Sequence, residues 1–212
     1  MTRVKICGIT EEEDALKAAY YGAVAVGFIF YKKSPRYISP SRARKIIEAL
    51  PPFIAPVGVF VDLNENAVRD ICKFTRIRTV QFHGDEKPVY CKRFADYKII
   101  KAFRVNDVFD FNSIEKYKVD AYLFDTYQEN VIGGTGKTFN WNLLKGKKFK
   151  KPIILSGGLT ADNVSSGIKE IEPFAVDVSS SLEKSPGLKD PAKIRQFMAN
   201  VRQTNPTLDV GV

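Results

Sequence analysis

Eight short runs rich in apolar and β-branched residues recur along the whole chain, and segments with helical start signals separate most of them. The runs are VKICG (4–8), AVGFIF (25–30), IAPVGVFV (54–61), TVQFHG (79–84), KIIKAFRV (98–105), AYLFDT (121–126), PIILSGG (152–158) and AVDVSSS (175–181). Several are almost continuous in apolar character, as strands buried on both faces of a parallel sheet must be. Eight alternations of strand and helix in 212 residues predict an α/β fold, and favour a closed single-domain (β/α)8 TIM barrel over a doubly wound open sheet. The barrel domain spans residues 1–205, and 206–212 read as a loosely attached tail.

The helical segments carry recognisable starts. Thr10 followed by Glu13 reads as a capping box ahead of Ala15, Leu16, Ala18 and Ala19. Ser39 before Pro40 places an N-cap ahead of a proline at the first helical position. Asn64, Thr160 and the pair Asp190–Pro191 open three further helices. After the fifth and sixth strands irregular segments replace regular helices: DVFDFNSIEKY supports a short helix at most, and 127–150 reads as loop with a turn or two in NWNLLKG.

Composition narrows the function classes. With 44% hydrophobic and 27% charged residues the chain reads as a soluble globular protein. No apolar run approaches the roughly 20 residues of a membrane span, and the N-terminus lacks a signal-peptide core, so a cytoplasmic protein with no membrane partner is expected. Three cysteines without CxxC spacing and a single histidine point to no disulfide framework, no metal site and no cofactor. The net charge of +9 allows a nucleic-acid surface or a field that steers small anions. Apart from KGKKFKK (145–151) the basic residues are scattered, with no aromatic-interleaved stripe, so a small anionic partner is favoured over nucleic acid.

The stretch GGTGKT (133–138) invites comparison with a phosphate-gripping P-loop, and fails it. That loop needs a glycine five residues before Gly136, where Val131 stands, and it needs a strand and a helix directly on either side. A glycine loop able to fold over a ligand remains.

In a barrel of this class chemistry sits at the C-terminal ends of the strands. There the sequence places Cys7 at the end of strand 1, Gln81 and His83 at strand 4, Asp125 at strand 6 and Asp177 within strand 8. Strands 7 and 8 end in SGG and SSS, whose backbone N–H groups suit a phosphate. Each residue also has a plain structural reading: a buried cysteine, a capping or ion-paired aspartate, a hydrogen bond from Gln81 or His83 to a neighbouring loop, a surface Arg36.

Taken together, KICGIT (5–10), GFIFYKKSPRYIS (27–39), GVFVD (58–62), VQFHGDE (80–86), LFDT (123–126), GGTGKTFNW (133–141), ILSGGL (154–159) and VDVSSSLEKSPGLKD (176–190) resemble the phosphoribosylanthranilate isomerases of tryptophan biosynthesis. The likeness runs from about residue 2 to 203, with one departure at Ser181, where the family commonly has glycine. It implies a single-domain (β/α)8 fold and an Amadori rearrangement of a phosphorylated aminoaldose to an aminoketose. It further implies Asp125 as general acid, Cys7 as general base and Arg36 as the clamp on the anthranilate carboxylate. Gly157, Gly158, Ser179 and Ser180 would take the phosphate, and Gln81, His83, Gly134 and Asp177 would line the substrate. Other phosphosugar isomerases or epimerases on the same barrel, a basic nucleic-acid binder and a non-catalytic barrel are the competing readings. Monomer and homodimer are both compatible with the sequence.

Overall fold

The computed structural model of the chain describes residues 2–126 and 140–204. Eight parallel strands close a barrel in chain order: β1 (Arg3–Cys7), β2 (Ala25–Ile29), β3 (Ala55–Phe60), β4 (Thr79–Phe82), β5 (Lys98–Val105), β6 (Ala121–Thr126), β7 (Ile153–Leu155) and β8 (Ala175–Val178). Closure is made by β1 lying parallel against β8, with Lys5 opposite Asp177, which excludes the open sheet. The outer layer contains α1 (Glu12–Tyr20), α2 (Pro40–Ala49), α3 (Glu65–Thr75), α4 (Pro88–Lys92), α5 (Val164–Ile171) and α6 (Pro191–Thr204). Single 3-10 segments, Phe111–Lys116 and Trp141–Leu143, stand where the sequence reads as irregular after β5 and β6.

Side chains alternate across each strand, so the sheet sorts residues into two sets. One is the small apolar barrel interior of Val57, Ile100, Ala102, Ala121, Leu123, Ile154 and Ala175. The other, between sheet and helices, includes Ile6, Phe28, Phe60, Phe82 and Phe124. Phe82 shows how tightly this layer is filled: its ring lies 4.9 Å from that of Phe94 and 5.3 Å from that of Tyr90.

The helix starts hold in part. Ser39 accepts from the Arg42 N–H and Asn64 from the Ala67 N–H, as their types require. Asp190 accepts from the backbone N–H groups of Ala192 and Lys193 at the head of α6. The Thr10–Glu13 capping box does not form. The helix starts one residue later than the box requires: Glu11 is the extended residue before α1 and makes no side-chain cap, while the Thr10 hydroxyl donates to the Gly187 carbonyl at 2.6 Å. Thr160 does not open α5 directly; it exchanges hydrogen bonds with Asn163 in a preceding turn, and the regular helix begins at Val164. Strands 7 and 8 are shorter than their apolar runs, leaving SGG and SSS in the loops beyond them. A small antiparallel hairpin of β9 (Glu183–Ser185) and β10 (Leu188–Lys189), absent from the sequence reading, follows β8.

The loop after β4 is pinned from inside. Lys101 on β5 donates to the Phe82 carbonyl, the Gly84 carbonyl and the Glu86 carboxylate at 3.2, 2.7 and 2.9 Å. Glu86 in turn accepts from the N–H groups of Asp62 and Gly84. Both charges are buried, and the two carbonyls flank His83, so the ion pair sets the backbone from which His83 projects.

Two outcomes follow from this packing. Lys101→Met leaves Glu86 charged and without its cation, and urea unfolding should show a loss of about 3–5 kcal/mol, whereas Glu86→Gln/Lys101→Met should lose less than the single variant. Burial pushes the Cys72 thiol up to about 12. The folded chain therefore keeps that proton after the unfolded chain has released it, and stability falls as pH rises from about 9 towards 12. Melting curves should decline less steeply over that window in Cys72→Val than in the unaltered protein.

Candidate active site

Every described candidate residue lines one cavity of about 570 Å³ at the C-terminal mouth of the barrel. Cys7, Arg36, Gln81, His83, Asp125, Gly157, Gly158, Asp177, Ser179 and Ser180 all contribute to its wall. Gly134, with Gly133 and Gly136, lies outside the described residues. No group of three or more His, Cys, Asp or Glu suited to a metal occurs among the described residues.

The strand period explains the convergence. Ala121, Leu123 and Asp125 follow one another on the inward face of β6, so the third inward position carries a carboxylate where the first two carry core. On β1 Lys5 and Cys7 share the inward face, and on β8 Ala175 is followed there by Asp177.

Asp125 is buried and held at both oxygens. Its Oδ1 accepts from the Thr126 N–H at 2.8 Å, and its Oδ2 lies 3.0 Å from His83 Nε2. The other ring nitrogen, Nδ1, lies 2.9 Å from the Gln81 amide nitrogen. With Gln81 donating to Nδ1, the imidazole carries its proton on Nε2 and donates to Asp125. The Gln81 oxygen has no partner among the described residues. Turning the carboxamide over would place that oxygen on Nδ1–H and leave Nε2 to accept a proton from Asp125. Gly157, at φ +83°, closes over this group; a Cβ there would meet the Thr126 hydroxyl at 2.3 Å and Asp125 Oδ1 at 2.8 Å.

Cys7 is buried, and burial pushes its thiol above the ordinary value, against the pull of the Lys5 charge. Lys5 forms a 2.8 Å ion pair with Asp177, both side chains nearly inaccessible. Burial alone would lower the Lys5 pKa; the Asp177 carboxylate and Cys7 outweigh it and hold the ammonium charged above the ordinary lysine value.

Arg36 sits in the turn after β2 and runs across Gly8, whose φ of +76° and missing side chain admit it; a Cβ there would come within 2.7 Å of Arg36 Cδ. Its Nε and Nη2 donate to Glu183 at 2.8–3.1 Å, leaving Nη1 without an acceptor among the described residues. Glu183 also receives Lys189 at 2.8 Å, and Lys189 reaches the Ser179 carbonyl. Although burial raises Glu183, the Arg36 hydrogen bonds and Lys189 hold it below the usual carboxylate range.

Gly157 and Gly158 both take positive φ, and with Ser179 they offer backbone N–H groups that find no acceptor among the described residues. The Ser179 hydroxyl is committed to the Cys7 carbonyl. Ser181, the departure from the family pattern, donates from its hydroxyl to the Leu159 carbonyl and ties the loops after β7 and β8 together.

The sequence reading missed Lys5, Glu183 and Lys189. Lys5 had a signal, a charge two residues before Cys7 and so on the same strand face; Glu183 and Lys189 had none, since the hairpin that buries them carries no strong strand pattern.

Comparison with known proteins places the whole barrel in a family. A family model described as N-(5'-phosphoribosyl)anthranilate (PRA) isomerase matches residues 4–200. The N-(5'-phosphoribosyl)anthranilate isomerase of Geotalea uraniireducens is 50% identical over 202 residues, covering 95% of this chain and 99% of its own. The crystal structure of phosphoribosyl anthranilate isomerase from Thermotoga maritima matches with a TM-score of 0.89 and 43% identity, over 96% of this chain and 100% of that one. Another solved isomerase, in complex with reduced 1-(o-carboxyphenylamino)-1-deoxyribulose 5-phosphate, matches with a TM-score of 0.81 and 39% identity, over 96% and 100% of the two chains. The barrel, its motifs and these likenesses agree: the chain belongs to the phosphoribosylanthranilate isomerase family.

Proposed function

We propose a division of labour for the family reaction, the Amadori rearrangement of N-(5-phosphoribosyl)anthranilate to 1-(2-carboxyphenylamino)-1-deoxyribulose 5-phosphate, an aldose–ketose isomerisation in tryptophan biosynthesis. Asp125 is the general acid and Cys7 the general base. The observation that carries this reading is that a carboxyl on β6 and a thiol on β1 line one cavity across the barrel mouth. Asp125, in its protonated form hydrogen-bonded to His83, gives its proton to the ring oxygen, and the sugar opens to a protonated Schiff base. Cys7, as thiolate, removes the proton from the adjacent carbon to give an enolamine, which settles as the ketone. Cys7 leaves that step as a thiol.

The substrate is anionic at both ends, and the lining suits each. Arg36 keeps Nη1 for the anthranilate carboxylate while Glu183 fixes the rest of the guanidinium. The N–H groups of Gly157, Gly158, Ser179 and Ser180 face the phosphate. Asp177, bonded to Lys5, serves the site through that ion pair. The three cysteines are free thiols, in keeping with a reducing cytoplasmic setting. Monomer and homodimer leave the chemistry alike, since every residue named belongs to one barrel.

Phosphoribosylanthranilate generated in situ should lose its anthranilate fluorescence rapidly on addition of the protein. Cys7→Ala and Asp125→Ala should each slow turnover by about 10²–10⁴-fold with the fold retained by circular dichroism. Turnover surviving in Asp125→Asn but abolished in Asp177→Asn would reverse the acid assignment. Arg36→Met should act mainly on KM, raising it by roughly tenfold or more with a smaller change in kcat.

A further inference from the structure

Lys5 is used neither as acid nor as base in that scheme, yet it is a buried charge beside the thiol. Lys5 and Cys7 are two residues apart on β1 and project into the same interior. Gly27 on β2 stands opposite Cys7 in register. A Cβ on Gly27 would lie 2.6 Å from Cys7 Sγ and 3.1 Å from Lys5 Nζ, so sulfur and ammonium converge on one point that only a glycine leaves free. Asp177 takes one N–H of the ammonium at 2.8 Å, and an ammonium has three.

The other charged groups around the thiol cannot substitute. Asp177, from β8, opposes a thiolate. Lys189, from β10, favours one, but it is committed to Glu183 and the Ser179 carbonyl. His83, just after β4, and Asp125, on β6, act on Asp177.

We propose that Lys5 is the positioning residue of the base: held by Asp177 and admitted by Gly27, its ammonium stabilises Cys7 as the thiolate. The inference rests on Cys7 being the base. Thiolate formation sends the thiol proton to water in the open cavity, the substrate proton regenerates the thiol, and Lys5 keeps its own protons throughout.

Alkylation of Cys7 by iodoacetamide, followed by peptide mass spectrometry from pH 6 to 10, reads the thiol directly. Cys72 and Cys91, pushed up to about 12 and about 11 by burial, are resolved from it by peptide. In Lys5→Met the apparent pKa of Cys7 should rise by about one unit or more, with alkylation near neutrality roughly tenfold slower and the ascending limb of kcat/KM moved the same way. An unshifted Cys7 in folded Lys5→Met overturns the proposal. Should Lys5→Met fail to fold, Lys5→Met/Asp177→Asn compared with Asp177→Asn isolates the same difference, and equal thiol pKa values there overturn it. Full turnover in Cys7→Ala would instead sink the base assignment while leaving the alkylation result standing.

Discussion

Closure of the sheet, with β1 hydrogen-bonded to β8, is the constraint from which the rest of the molecule follows. Once the last strand lies beside the first, every second side chain of all eight strands shares one interior. At the bottom of that interior the strands supply alanine, valine, leucine and isoleucine. One repeat higher they supply Cys7, Gln81, Asp125 and Asp177. The site is therefore the top layer of the core, with polar groups placed where packing alone would have put hydrophobes.

Buried charges are costly unless they are matched, and the buried lysines and Glu183 here each meet a group from another strand or loop. Lys5 meets Asp177, Lys101 meets Glu86, and Glu183 lies between Arg36 and Lys189. Buried ion pairs of this kind add little net stability, but they fix where a side chain points. Lys101 and Glu86 hold the backbone on either side of His83, and Glu183 leaves Arg36 only part of its guanidinium for a ligand.

Much of this was legible in the chain. Eight apolar runs with intervening helices gave the barrel, because strand and helix periods are local properties. The apolar runs placed Asp125 at the end of strand 6 and Asp177 within strand 8, and the motifs around Cys7, Arg36 and SGG carried their grouping. What could not be read depended on contacts far apart in sequence. Thr10 looks like a cap until the distant Gly187 carbonyl claims its hydroxyl. Glu183 and Lys189 look like ordinary surface charges in SLEKSPGLKD until the hairpin folds them beneath Arg36. Lys5 was passed over, and its partner lies 172 residues away.

The position of Glu183 has a geometric meaning beyond its hydrogen bonds. One carboxylate is joined to Arg36 on one side and, through Lys189, to the backbone of Ser179 on the other. The guanidinium and the Ser179 loop are thus mounted on a common strut. Such a mounting works as a gauge. On the proposed assignment of Arg36 to the carboxylate and the Ser179 loop to the phosphate, a dianion with a shorter or longer backbone would satisfy one end of the barrel mouth only by leaving the other.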